Sequence, residues 1–225
     1  MGATAVRLHC PRFQYLFEEM ERRPTDIDFM AYGKDRPLLR DFFKEIGYEP
    51  DIRVITTHGY RRHIYHQQKK DITVDVFFDK LEFCHTIVFS GRLKIDSPTV
   101  PLADLLLAKM QIVKLNEKDV KDVIILLTEH DIGQGSNEMI DAAYIARNLS
   151  DDWGFYYTFT TNMKKVVAFM KEFPHLKDEE RTDVLAKVNK MLGVVETEPK
   201  SFKWKMRARV GTGTKWYNEV DEYIR

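Results

Sequence analysis

The sequence predicts an α+β fold, with a mixed β-sheet and flanking helices followed by a helical C-terminal half. Acidic and apolar residues alternate from Thr25 to Met30, which is the period of a strand with one buried face. The apolar run from Val74 to Phe78 is too short and too β-branched for a helix, so it predicts a buried strand. Beyond Pro98 the apolar residues recur at helical spacing, which favours helices for the rest of the chain.

Two helices are predicted on either side of the first strand. Residues 11–23 have the spacing of a short amphipathic helix, and Pro24 ends it. A second helix begins near Asp35, runs to about Ile46 and stops before Gly47, which favours a helix C-terminus. The first acidic strand therefore lies between two predicted helices.

The segment from residue 51 to residue 95 is predicted to be mostly β-structure, because its apolar runs are short and rich in β-branched and aromatic residues. The predicted strands are residues 53–56, 63–66, 72–78 and 86–89. Ser90 and Gly91 form a predicted turn that leads into residues 92–95.

The C-terminal half is predicted to be helical. The predicted helices are residues 102–114, 117–129, 138–147, 153–173, 179–192 and 202–209. Asn116 is placed to cap the second of them, because its side chain can accept from free backbone amides. Gly133 and its neighbours interrupt the pattern, so we expect an α/β core at residues 1–132 and a helical region at residues 133–225.

Composition limits the class of protein. The chain has 225 residues, of which 44% are hydrophobic, so it can form one large domain or a core with an appendage. Its 35 basic and 35 acidic residues balance, so no net charge attracts nucleic acid or membrane. Cys10 and Cys84 lack metal-site spacing, Arg7 and His9 interrupt any signal peptide, and no apolar run is long enough to span a bilayer. We therefore expect a cytoplasmic protein without a membrane partner.

Three aspartates on predicted strands are the main candidates for chemistry. Asp26 and Asp28 lie on one face of their strand, and Asp75 lies within the second acidic strand. Such carboxylates repel one another unless a cation lies between them, and Mg²⁺, with Mn²⁺ as an alternative, prefers oxygen ligands. Two ions about 4 Å apart can hold the attacking and leaving oxygens of a phosphoryl transfer. The alternative is the solvent face of a half-exposed strand.

Five segments in this order resemble the nucleotidyltransferase-fold superfamily, in particular its bacterial aminoglycoside-type and abortive-infection toxin branches. The segments are Gly2-Ala3-Thr4-Ala5, Asp26-Ile27-Asp28-Phe29, Val74-Asp75-Val76, Pro101 to Lys109, and Lys118-Asp119-Val120-Lys121-Asp122. They cover roughly residues 2–130, and their order is more specific than any one segment. The resemblance implies a nucleotidyltransferase-like sheet.

The resemblance implies that the first segment is a phosphate-binding turn. Gly2 and Ala3 would let the backbone approach a triphosphate, and the Thr4 hydroxyl would donate to its oxygens. The family's turn normally follows a helix and a strand, and in this sequence only Met1 precedes Gly2. Under the resemblance, either the sequence begins inside a longer protein or the fold lacks its first helix and strand.

The resemblance also gives each acid a role. Asp26 and Asp28 would hold Mg²⁺ against the phosphates, and Asp75 would bind a second ion or accept the proton of the attacking hydroxyl. Most of the rate enhancement would come from positioning and from charge neutralisation.

Three further residues have competing interpretations. Lys109 could reach the leaving phosphates, or it could extend to water as helix lysines commonly do. Lys118 and Asp122 match the last segment of the family and would contribute to nucleotide binding, but at i and i+4 they could equally form a helix ion pair. Asp119, beside them, is explained by helix capping.

The sequence leaves the activity open between three hypotheses. The first is a Mg²⁺-dependent nucleotidyltransferase that moves a nucleoside monophosphate from an NTP to a hydroxyl acceptor and releases pyrophosphate. The acceptor would be a small molecule, an RNA 3′ end or a protein side chain. The second is a non-catalytic protein of the same fold that acts as a nucleotide-binding or interaction module. The third keeps the three acids as a structural cation site.

Overall fold

The computed structural model describes residues 1–67, 71–134, 138–174 and 176–220, and its fold is mixed α+β with a helical C-terminal half, as predicted. The helices are α1 (Gly2–His9), α2 (Gln14–Glu19), α3 (Arg36–Glu45), α4 (Ile52–His58), α5 (Leu102–Met110), α6 (Glu117–Glu129), α7 (Ala142–Asp151), α8 (Trp153–Glu172), α9 (Asp178–Thr197) and α10 (Phe202–Val210). The strands are β1 (Ile27–Ala31), β2 (Glu49–Pro50), β3 (Arg62–Gln67), β4 (Ile72–Phe78), β5 (Lys80–Glu82), β6 (Thr86–Val88), β7 (Asp131–Gly133) and β8 (Met139–Asp141).

The largest sheet of the described residues has the strand order β1-β4-β3-β2. Strands β1 and β4 run parallel, and the other neighbours run antiparallel. Because side chains alternate between the faces of a strand, β4 contributes side chains to both faces of the sheet. Val74 and Val76 pack with Phe43 of α3, whereas Phe77 belongs to the main core. Asp75 shares the face of Phe77, so the acidic face of the sheet points toward the main body of the protein.

Helix α6 passes through the centre of the main core, and residues 123–127 are fully buried. Its start is set by Asn116, whose side chain accepts a hydrogen bond from the backbone N–H of Asp119 at 2.8 Å, as predicted. Helices α8 and α9 pack against α6, and one hydrophobic cluster includes residues on both sides of residue 132. The division into residues 1–132 and 133–225 stays a prediction, with continuous packing across it.

The predicted strand at residues 53–56 is wrong, because these residues lie in α4. The Asp51 side chain accepts from the backbone N–H of Val54 at 3.0 Å, which is a helix N-cap. Strand propensity depends on packing against neighbouring strands, and Ile52 at the start of α4 is 67% exposed. A local cap therefore decides this segment against its β-branched composition.

Helix boundaries differ from the predictions at several places, and α9 runs five residues beyond its predicted end, to Thr197. The helix predicted at residues 11–23 is limited to α2, and the helix predicted at residues 102–114 ends at Met110. The helix predicted from residue 138 begins only after β8, where Asp141 caps it by accepting from the Tyr144 backbone N–H at 2.9 Å. Of the helices in the described ranges, none combines the length and the apolar character needed to cross a bilayer.

Candidate functional site

A pocket of about 310 Å³ lies between the start of α1, the acidic face of the sheet, α5 and the start of α6. All three predicted acids, Asp26, Asp28 and Asp75, line it. Strand register explains why residues so far apart in sequence meet: Asp28 of β1 is the direct partner of Asp75 on β4. Adjacent strands lie about 4.8 Å apart, so these two carboxylates are neighbours on one face of the sheet.

The electrostatics of the pocket are unfavourable to its own acids. The pKa of Asp28 is raised to about 6, first because the carboxyl is buried and then because the charges of Asp26 and Asp75 are close to it. Both causes disfavour the ionised carboxylate, and the nearby Met1 ammonium and Lys109, which lower the pKa, offset them only in part. The arrangement therefore leaves negative charge that a cation could compensate.

Gly2 is fitted against the acid pair. It adopts φ +65°, and a methyl group added at this position would lie 1.8 Å from Asp28 Oδ2. Only glycine tolerates both conditions without strain or displacement of the carboxylate. Gly2 and Ala3 line the pocket, but the predicted turn is wrong, because Gly2 begins helix α1. The Thr4 hydroxyl instead donates to the backbone oxygen of Asp26 at 3.4 Å, and Thr4 is not among the lining residues.

Arg62 on β3 holds the third acid. Its Nε lies 2.8 Å and 2.9 Å from the two carboxylate oxygens of Asp75, and its Nη2 makes a further contact with Oδ2. In the β3–β4 register Arg62 faces Phe77, two residues along from Asp75, which is within reach of a long side chain. Local sequence patterns do not indicate this pair, although the pairing of the two strands contains its signal.

Lys109 lines the pocket, and its ammonium group contacts two acids of α6. Its Nζ lies 2.8 Å from Asp119 and 2.8 Å from Asp122, which itself is fully buried. Asp122 also receives two hydrogen bonds from Arg22, at 2.7 Å and 2.9 Å. The structure thus pairs Asp122 with Arg22 and Lys109, and Asp122 is not among the residues that line the pocket. Nothing in the sequence pattern indicated Arg22, because its partner is 100 residues away.

Lys118 occupies a different position from Lys109. It lies in the first turn of α6, is exposed, and lines the pocket near Asn116. A lysine in this setting keeps a hydrated, adjustable charge at the pocket mouth.

The pocket also has an apolar wall, which local sequence patterns do not indicate. Phe77 and Phe83 meet edge to face with centroids 5.4 Å apart, and Leu81, Leu105 and Ile112 extend the surface. An apolar wall opposite a few charged groups is the usual composition of a small-molecule site.

The basic residues at 61–70 do not form one continuous patch in the part of the chain that the structure describes. Arg61 pairs with Glu82 at 3.0 Å, and Arg62 pairs with Asp75. His63 and Tyr65 are buried and lie 2.9 Å apart through Nδ1 and the phenol oxygen. Lys69 and Lys70 fall outside the described residues.

The donor atoms suit a hard cation, since three carboxylates line one pocket and oxygen ligands are what Mg²⁺ and Mn²⁺ prefer. Within the described ranges, no three or more His, Cys, Asp or Glu side chains are already arranged to hold a metal ion. Comparisons with protein-family models, curated proteins and solved structures find no match for this chain.

Proposed function

We propose that the protein is a nucleotidyltransferase-fold enzyme that moves a nucleoside monophosphate from an NTP to a hydroxyl acceptor and releases pyrophosphate. The observation that carries this proposal is the convergence of Asp26, Asp28 and Asp75 in one pocket beside Gly2. Isolated acids on a strand have a trivial explanation as solvent-facing residues. Asp28 and Asp75 lie on two paired strands, Asp26 lies one residue before β1, and a glycine is fitted against Asp28, so a divalent cation would stabilise this arrangement.

The proposed cofactor is Mg²⁺, with Mn²⁺ as an alternative, held by Asp26, Asp28 and Asp75. When bound, a divalent ion supplies charge neutralisation for the triphosphate. This proposal follows from the donor chemistry of the pocket and from the family resemblance.

The chain's own residues would bind and orient the nucleotide. At Gly2 the backbone can come close to a phosphate, and the free amides at the start of α1 would donate to its oxygens. Lys118 would meet the phosphates from the mouth of the pocket, because it is exposed there. Lys109 would contribute a fixed positive charge from below, positioned by Asp119 and Asp122.

The apolar wall would accept the flat face of the nucleobase, since aromatic and aliphatic side chains exclude water from that side. Asp75 would hold the acceptor hydroxyl and take its proton as the oxygen attacks the α-phosphorus. The proposed acceptor is a small molecule, an RNA 3′ end or a protein side chain.

A second candidate function is a nucleotide-binding or interaction module without turnover. The observation that favours it is Arg62, which already contacts both oxygens of Asp75. If this pair never opens, the acid that would take the proton is not available.

The test is calorimetric titration of each NTP in Mg²⁺ into the wild type and into the double variant Asp26→Asn/Asp28→Asn. Asp41→Asn is a matched control, because Asp41 is an exposed acid on α3 outside the pocket. We expect metal-dependent binding in the wild type and the control, and its loss in the double variant. Absence of binding in the folded wild type would contradict both functions. Pyrophosphate release with the three acceptor classes separates the enzyme from the module.

A further inference from the structure

The contact between Arg62 and Asp75 occupies most of the carboxylate. Arg62 Nε reaches both oxygens, and Nη2 adds a contact with Oδ2. A carboxylate has about four lone-pair positions for hydrogen bonds or metal ligation. The guanidinium therefore uses the positions through which Asp75 would bind a cation, and it neutralises the charge that would attract one.

The Arg62–Asp75 pair gives Asp75 different surroundings from those of Asp28. Asp75 is 7% exposed and lies under the guanidinium, whereas Asp28 faces Gly2 with its Oδ2. Asp28 and Asp75 are direct partners across β1 and β4, so a cation held by Asp28 would be close to the guanidinium. The two positive groups would compete for the same carboxylate.

Arg62 has a route away from Asp75. Its side chain is 32% exposed and lines the pocket, so it can turn into the pocket while the strand stays in place. Guanidinium groups bind phosphate oxygens in the same two-pronged way as they bind carboxylates. A nucleotide triphosphate in the pocket would offer Arg62 a replacement for Asp75.

We propose that Arg62 stands in for a second cation: the free protein binds one divalent ion at Asp26 and Asp28, and Asp75 receives another only when nucleotide phosphates engage Arg62. This inference rests on the proposed function, and it specifies the order in which the cations and the nucleotide bind. Nucleotide and the second ion would bind cooperatively, because each makes the other's binding easier.

The experiment is calorimetric titration of Mn²⁺ without nucleotide into the wild type and Arg62→Gln. We expect one Mn²⁺ ion per chain in the wild type and two in Arg62→Gln. The affinity of Arg62→Gln for the second ion should be at least tenfold higher than that of the wild type. Asp75→Asn combined with Arg62→Gln should return the protein to one ion. A non-hydrolysable NTP should raise the number of Mn²⁺ ions bound by the wild type to two per chain.

Arg61→Gln is the matched control. It removes the same charge one residue away, where Arg61 pairs with Glu82 outside the pocket, and it should leave the wild-type count of one. If Arg62→Gln fails to fold because Asp75 loses the guanidinium contact, Arg62→Lys carries the test. Lysine keeps the charge but not the two-pronged contact, so the second affinity should still rise, by about threefold.

The outcomes separate the two proposals. If the wild type binds one Mn²⁺ and the folded Arg62 variants bind one or none, the inference is overturned and the proposed function stays intact. Absence of Mn²⁺ binding in the wild type and every folded variant overturns both.

Discussion

Two clusters of charged side chains in this protein contain carboxylates, and they differ in how far positive groups compensate the carboxylate charge. Asp104 is fully buried, its charge is matched by Arg92 at 2.7 Å, and the Tyr144 hydroxyl donates a hydrogen bond to it at 2.9 Å. The pocket instead places Asp26, Asp28 and Asp75 together, with Arg62 on Asp75 and with the Met1 ammonium and Lys109 near Asp28, and the pKa of Asp28 is still raised to about 6. A balanced cluster stabilises a fold, whereas an unbalanced one stores unfavourable charge that a ligand can relieve.

The largest effect should come from breaking the balanced cluster. Asp104→Asn should lower the free energy of unfolding by about 3–5 kcal/mol, because it removes one partner of a buried pair and leaves Arg92 uncompensated. Chemical denaturation monitored by circular dichroism measures this, and Mn²⁺ binding should be unchanged in the folded variant. A loss below about 1 kcal/mol would mean that the cluster does not stabilise the fold.

A second test uses pH on the helical side of the molecule. His85 is buried, stacks on Phe155 with centroids 4.8 Å apart and bonds Thr158, and its pKa is lowered to about 4, first because burial disfavours the charged ring. Between pH 6.5 and 4 the unfolded chain therefore takes up a proton that the folded chain refuses, so stability falls as the pH falls.

This histidine should contribute up to about 3 kcal/mol of that acid loss. Denaturation curves at pH 7, 6, 5 and 4 measure it, and His85→Gln should show a shallower decline than the wild type. Equal slopes in the two proteins would show that His85 is protonated in the fold and that this interpretation is wrong.

Gly2→Ala tests how closely the pocket is fitted. We expect about 1–2 kcal/mol of destabilisation from the positive φ, and about a tenfold loss of Mn²⁺ affinity because the new methyl displaces the Asp28 carboxylate. Gly47→Ala is the matched control, since Gly47 also has a positive φ but open space around it. It should lose stability and keep Mn²⁺ affinity; equal Mn²⁺ affinities in the two variants would contradict the fit.

The smallest effect on stability has the opposite sign. Asp28→Asn should raise the free energy of unfolding by about 1 kcal/mol, because it relieves repulsion from Asp26 and Asp75. Thermal denaturation without metal measures this, with Asp41→Asn as the neutral control. A destabilised Asp28→Asn protein would show that the pocket's charges are already balanced.

Sequence patterns predicted the acidic strands and the acids' convergence because strand alternation is local and adjacent strands bring their faces together. They failed where distant contacts or caps decide. Asp51 turned residues 52–58 into a helix, and the register of β3 on β4 placed Arg62 over Asp75. The Arg22–Asp122 pair joins elements 100 residues apart, which no local spacing encodes.

The most direct test of the central claim is titration of ATP into the wild type in Mg²⁺ and again in excess EDTA. We predict saturable binding in Mg²⁺ that EDTA abolishes, because the phosphates are held through a cation on the three acids. Binding of equal strength under both conditions would show that the acids do not hold the nucleotide. No binding in Mg²⁺ would contradict the nucleotide site itself.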